Sequence, residues 1–380
     1  MQDFKKNKKI ISWLIKVFVS WRLFLVLISF LAQQILPFKP SFPFSETFLK
    51  PFGPQLLWIW GNFDGVRYIS LGQYGYLGPK DFGQTFFPLY PLLINKFSFF
   101  FNPLITALII SNTAFFVALF ILFKLITLDF SQKIAKKTIV FLLIFPTSFF
   151  FGAVYSESLF LLLCLTAFYL AKRGKWAQAS LAGFLASTTR LVGVFLFPAL
   201  FFEQCEQKKT KISNQLSLFI IPSGLLLFMA YLKRHFNDFL YFLHIQPLYG
   251  APRASDKIIL IHQVIWRYLK MLFTIDKTNP IYPTLCLEFL TSLLFIFLLI
   301  QLIIKKYPSS YITFSILSFI TPTLTGTFSS MPRYVLVLFP CFIVLSQIIS
   351  KRNLTILWIL INFILLVLFC GLFTRGYWVA

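Results

Sequence analysis

The sequence predicts an all-α polytopic membrane protein with about eleven transmembrane helices. Three observations carry that expectation. Apolar residues make up 58% of the 380, Phe alone contributes 51, and only 12% are charged, which lies well outside the soluble globular range. Mean hydropathy is +0.79, and many windows reach the roughly 20 apolar residues that a bilayer span requires. Basic residues gather in the short connections between those windows. Alternating apolar and polar runs of about ten residues, the mark of an outer-membrane barrel, are absent.

The formal charge of +23 is therefore topological and excludes no class except nucleic-acid binding. Residues 5–9, 133–137, 172–175, 208–211, 305–306 and 351–352 form six clusters that hold 17 of the 35 Lys and Arg residues, the pattern of the positive-inside rule. With every cluster in the cytoplasm, the number of crossings between successive clusters is even. Residues 13–36 make the first span. That stretch is too long for a signal-peptide h-region and lacks a small-residue cleavage site. One further crossing is allowed before Lys133, and residues 104–128 have the length for it. Residues 88–101, interrupted by Pro91 and Lys96, are then expected to lie in the outer interface as an amphipathic helix.

The same parity pairs residues 138–154 with 157–171 and residues 177–189 with 191–202. It sets Tyr155-Ser156-Glu157-Ser158 and Arg190 at two outward-facing apices. Each arm of the second hairpin is too short to cross a bilayer vertically, so its helices are expected to be broken or sunk into a cavity. Residues 214–232 then go out, 281–304 come in, 308–328 go out, 334–350 return and 354–373 end outside. The expected layout is a single domain over residues 1–380 with a cytoplasmic N-terminus. It carries two external elaborations, 37–103 with interfacial helices and 233–280. No internal repeat marks a second unit. Five cysteines, Cys164, Cys205, Cys286, Cys341 and Cys370, show neither paired nor zinc spacing and read as packing residues.

Of the 12 acidic residues, seven fall on the external side: Glu46, Asp64, Asp81, Glu157, Asp238, Asp256 and Asp276. External Arg67, Arg190, His244, Arg253 and Arg333 join them, which points to a polar cleft at the outer leaflet. Asp64 opens the short helical stretch that ends near Gly72 or Gly75, where a helix cap is the structural alternative to a general base. Glu157 stands at a helix start, where the dipole favours a carboxylate; its other role is to hold a sugar or orient a donor group. Arg190 interrupts an apolar run at about 2.5 to 3.5 kcal/mol on insertion scales, so it needs a phosphate or a partner such as Glu157. Arg333, at the outer mouth of a span, either snorkels or contacts a lipid phosphate. Asp81 lies in a Pro/Phe-rich loop, and His244 and Arg253 lie in the second external segment. No D-x-D or H-x-x-x-H spacing indicates a metal.

Phe63-Asp64-Gly65-Val66-Arg67-Tyr68 with Gln73-Tyr74-Gly75-Tyr76, followed by Phe86-Phe87-Pro88-Leu89-Tyr90-Pro91-Leu92, resembles the first-loop signature of PIG-V-type mannosyltransferases. Ser156-Glu157-Ser158-Leu159-Phe160, Thr189-Arg190-Leu191-Val192-Gly193 and the run from Arg333-Tyr334-Val335 to Leu338-Phe339-Pro340 are similar to later segments of that family. The family usually places Trp where this chain has Phe63.

The resemblance implies a C-type integral-membrane glycosyltransferase fold. It also implies a hexosyl transfer with inversion, with mannose as the expected sugar, from a polyprenyl-phosphate donor to a lipid, glycan or protein acceptor. By the same resemblance Asp64 is the catalytic base. Arg190 and Arg333 are then expected to bind the donor phosphate, with Arg67, Tyr68, Asp81, Glu157, His244 and Arg253 as substrate-binding candidates. No cofactor or divalent metal is expected, membrane lipids and the lipid-linked sugar are the partners, and no nucleic acid is involved. The shortness of the chain resembles a bacterial relative working at the cytoplasmic membrane, with its site on the extracytoplasmic face. A transporter or lipid flippase using Arg190 and Glu157 as a substrate path is the alternative. Such proteins show repeated halves with matching broken helices, which this sequence lacks.

Overall fold

A computed structural model describes residues 2–78, 83–207, 212–249, 253–254 and 257–379. Long apolar runs form long helices: α1 (Gln2–Ile35), α6 (Pro103–Asp129), α15 (Tyr282–Ile304) and α19 (Arg352–Thr374). The first loop folds into α2 (Ser45–Phe48), α3 (Gln55–Trp58), α4 (Asp64–Tyr74) and α5 (Leu89–Phe97). With nine residues α5 is too short to span, and the exposed Phe99, Phe100 and Phe101 follow it. After α6 come α7 (Gln132–Leu143), α8 (Glu157–Lys172), α9 (Trp176–Ser187), α10 (Leu196–Glu206), α11 (Ile212–Leu218) and α12 (Ile220–Phe236). The second external segment holds α13 (Tyr241–His244) and α14 (Ile261–Thr274), and α16 (Ser309–Thr323), α17 (Met331–Tyr334) and α18 (Phe339–Ile348) complete the bundle. Side chains of α14 such as Trp266 and Phe273 are exposed, which suits a helix lying against lipid headgroups.

Several described basic residues and their neighbours meet at one end of this bundle. Lys136 lies 5.3 Å from the Trp13 ring, Lys137 bonds the Ile349 carbonyl, Lys172 pairs with Asp129 at 2.8 Å, and the Ser309 N–H donates to Glu206 at 3.0 Å. At the opposite end Arg375 Nε donates to the Leu36 carbonyl at 2.8 Å. There Thr284 Oγ1 bonds the Trp378 carbonyl at 2.9 Å, and Val154 N–H bonds the Trp60 carbonyl at 2.9 Å.

Only five described helical stretches, Lys8–Ile35, Pro103–Asp129, Asn214–Phe236, Tyr282–Ile304 and Arg352–Thr374, are long and apolar enough to cross a membrane. A sixth arises if Met331–Val337 and Phe339–Ile348, bent by 87°, count as one broken span. Eleven full spans are therefore not shown. The intervening segments are shorter helices, each with one face buried against its neighbours; side chains such as Leu181, Phe201 and Phe202 remain exposed. The apex at residues 155–158 is enclosed within the protein. Tyr155, Ser156, Glu157 and Ser158 are all buried, because the first loop folds over them.

Candidate active site

Asp64 reaches the site through a strained turn. Phe63 adopts φ 61°, ψ −116°, a conformation that costs a non-glycine residue on the order of 1–3 kcal/mol. Ring contacts with Phe42 at 4.7 Å, Trp378 at 5.5 Å and Phe373 at 5.8 Å hold it there. Tyr155 donates from its hydroxyl to the Asn62 carbonyl at 2.9 Å and accepts from the Asp64 N–H at 3.3 Å. Asp64 is thereby the first residue of α4 rather than its cap; no side-chain cap bond forms. Its carboxylate turns instead to Arg333, with which it makes an ion pair. The helix ends at Gly75, whose φ of 67° is the left-handed C-terminal signal that glycine supplies.

Glu157 likewise opens a helix, α8, so two carboxylates sit at two positive helix ends. Glu157 Oε1 pairs with Arg190 at 2.5 Å and with Arg333 Nε at 3.4 Å. Tyr68, one turn along α4, shares a 2.8 Å hydrogen bond with Ser156. Burial pushes its phenol well above the ordinary range, so Tyr68 stays a neutral hydrogen-bonding group.

Arg190 is aimed by a backbone fold-back at the end of α9. The chain leaves the helix in extended conformation at Arg190 and re-enters a 3-10 turn over Leu191–Phe195. A Cβ on Gly193 would lie 2.4 Å from the Ala186 carbonyl carbon and oxygen, so the approach is backbone on backbone. Gly193→Ala is expected to lower thermal stability in detergent by about 1–3 kcal/mol or more and to reduce turnover by displacing Arg190. Wild-type unfolding temperature and turnover would show that the fold-back has slack.

These groups line one cavity of about 560 Å³, together with Arg67, Tyr68, Arg253 and Tyr334. Tyr334 sits among the guanidinium groups. Arg253 Nη2 donates to its hydroxyl at 3.3 Å, and Arg190 and Arg333 lie 5.2 and 5.3 Å from its ring centroid. Among the described lining residues, four guanidinium groups face two carboxylates. The cavity is thus cationic by two charges, with aromatic and aliphatic walls from Phe86, Phe87, Leu191, Val192 and Phe242. Such a site suits an anionic headgroup on an apolar tail.

Residues 10–247 match the family model described as mannosyltransferase (PIG-V). The chain belongs to the PIG-V mannosyltransferase family. No curated protein matches it. As a PIG-V family member it is a multi-pass integral membrane glycosyltransferase whose activity is mannosyl transfer, with a sugar donor and a glycan or lipid acceptor in the membrane. The match ends before Arg253, Arg333 and Tyr334, so two of the four described arginines that line the cavity lie within it and two beyond it.

Asp64, Arg67, Tyr68, Glu157, Arg190, Arg253 and Arg333 are brought together as the sequence suggested. His244 is not. Its α13 turn presents Phe242 and Leu243 to the cavity, and the imidazole instead bonds Asp238 at 2.6 Å in exposed surroundings. That hydrogen bond holds the Asp238 carboxyl below the usual carboxylate range. Asp81 and Asp256 lie outside the described residues. Glu46 pairs with Lys50 at the surface. Among the described residues no three His, Cys, Asp or Glu side chains gather as a metal site. Sequence reasoning passed over Trp378 and Ser330 as cavity residues. Tyr334 could have been found from its place beside Arg333, whereas Trp378 gives no local signal.

Proposed function

We propose that the chain transfers mannose, with inversion, from a polyprenyl-phosphate donor to a glycan, lipid or protein acceptor on the extracytoplasmic side. The observation that carries this reading is the cavity's excess of guanidinium groups over carboxylates beside Asp64. A polyprenyl-phosphate donor brings a negative phosphate on an apolar chain, and the cavity offers both complements. Entry of the phosphate draws Arg333 and Arg190 from their carboxylate partners, because the guanidinium fork binds phosphate oxygens in bidentate fashion. Asp64, released from Arg333, then takes the proton of the acceptor hydroxyl. The acceptor oxygen forms its bond to the anomeric carbon as the bond from that carbon to the phosphate oxygen breaks. The electron pair stays on the phosphate, where the arginines stabilise the growing charge. In this reading the arginines fill the role a divalent ion plays elsewhere.

The test is to incubate membranes containing the protein with labelled polyprenyl-phosphate mannose, glucose or arabinose, or with a nucleoside-diphosphate mannose, and to identify the labelled product by mass spectrometry. Label is expected from the polyprenyl-phosphate mannose. Direct transfer from the nucleotide sugar in lipid-donor-free membranes would overturn the donor assignment.

A further inference from the structure

Four buried polar atoms of cavity-lining residues have no hydrogen-bond partner among the described residues: Glu157 Oε2, Ser330 Oγ, Ser318 Oγ and Arg333 Nε; Arg333 Nε still lies 3.4 Å from Glu157 Oε1. Glu157 and Ser330 are each 1% exposed, and both line the cavity. Buried polar atoms are nearly always paired, so orphans on residues that line one cavity point to a ligand that completes them, and among these Glu157 and Ser330 flank Arg333. Ser330 is also held in place deliberately. Its backbone is left-handed, φ 68°, a conformation a serine adopts under constraint. Its N–H donates to Glu288 Oε1 at 3.2 Å, while Glu288 Oε2 accepts from the Tyr268 hydroxyl at 2.7 Å. Arg333 follows on the same turn, its N–H bonded to the Ser330 carbonyl at 3.0 Å.

We propose that Glu157 Oε2 and Ser330 Oγ form a subsite for hydroxyl groups of the donor's sugar ring; this rests on the donor reading above. The chemistry selects a hydroxyl over a phosphate. An ionised carboxylate oxygen is acceptor-only and repels phosphate, so Oε2 needs a neutral donor. Serine both donates and accepts, as a sugar hydroxyl does. Glu157 then divides its work: Oε1 holds Arg190 and Arg333 until the phosphate draws them off, and Oε2 meets the sugar next to it. Ser330 becomes a specificity residue, and Glu288 a positioning residue that acts through it.

The experiment measures binding of three probes to purified full-length protein in nanodiscs: polyprenyl-phosphate mannose, its monodeoxy analogues, and sugarless polyprenyl phosphate. Wild type is compared with Ser330→Ala and Ser330→Gly; the glycine variant adopts a positive φ freely and so removes the hydroxyl without risk to the turn. Wild type is expected to bind at least one monodeoxy analogue about tenfold more weakly than the parent, the effect of one lost buried hydrogen bond. Both variants should shrink that penalty to about twofold or less and bind the sugarless lipid as wild type does. An unchanged deoxy penalty in both variants, no penalised analogue in wild type, or equal weakening of the sugarless lipid would overturn the subsite. Failure of wild type to bind either polyprenyl lipid would instead strike the donor reading itself, and the subsite with it.

Discussion

Asp64→Asn, purified at wild-type yield, is expected to lose mannosyl transfer by roughly a hundredfold to ten-thousandfold, the range for removing a general base. Asparagine keeps the shape and still accepts a hydrogen bond from Arg333, so the fold survives. The strained Phe63 turn that delivers residue 64 rests on Phe42, Phe373 and Trp378, none of which depends on the carboxylate. Donor binding should therefore hold while turnover collapses. Steady-state transfer with a parallel donor-binding measurement checks this. Near-wild-type turnover in Asp64→Asn would remove Asp64 from the role of base and leave it a structural partner of Arg333.

Arg333→Met should damage both stability and activity. Arg333 is almost fully buried and bridges Asp64 to Glu157. Removing one partner of a buried ion pair costs about 3–5 kcal/mol, because the remaining charge is left uncompensated. Glu157 keeps Arg190, so the loss falls mainly on Asp64, whose side chain is 23% exposed and partly relieved by water. Thermal unfolding in detergent should register the loss. Arg333→Lys separates the two effects: a lysine restores the charge and much of the stability but offers a point charge in place of the planar fork, so turnover should remain low. If Arg333→Lys turned over like wild type, bidentate phosphate recognition at this position would be excluded.

The parts legible in the sequence share one physical signature. Arg190, Arg333, Glu157 and Asp64 are charged residues set in strongly apolar surroundings, where a charge needs a partner or a cavity. That logic anticipated the Arg190–Glu157 pair as an alternative, and the structure contains it. It did not reach the pairing of Arg333 with Asp64, which joins residues 269 positions apart and has no local trace. The burial of Tyr155 and Ser156 was hidden for a related reason. Polar residues at a helix turn look solvated until a distant loop covers them, here through the Val154–Trp60 backbone bond. His244 shows the reverse error, since an external histidine near external arginines shares their side of the bundle without sharing their cavity. The number of spans was less legible, because apolar runs of 12–17 residues such as those of α9 and α10 fall short of a full vertical crossing and do not by themselves say how deep they sit.

The separation between Asp64 and Arg333 also bears on how the protein is made. A ribosome delivers the aspartate, then Glu157 and Arg190, long before the guanidinium that neutralises the first of them, so the nascent chain passes through the insertion machinery with that carboxylate still waiting. Until the later helices arrive, the pocket lacks Arg253, Ser330, Arg333 and Tyr334. The cavity is consequently incomplete in a half-synthesised chain and takes shape only when the late helices close on the early ones.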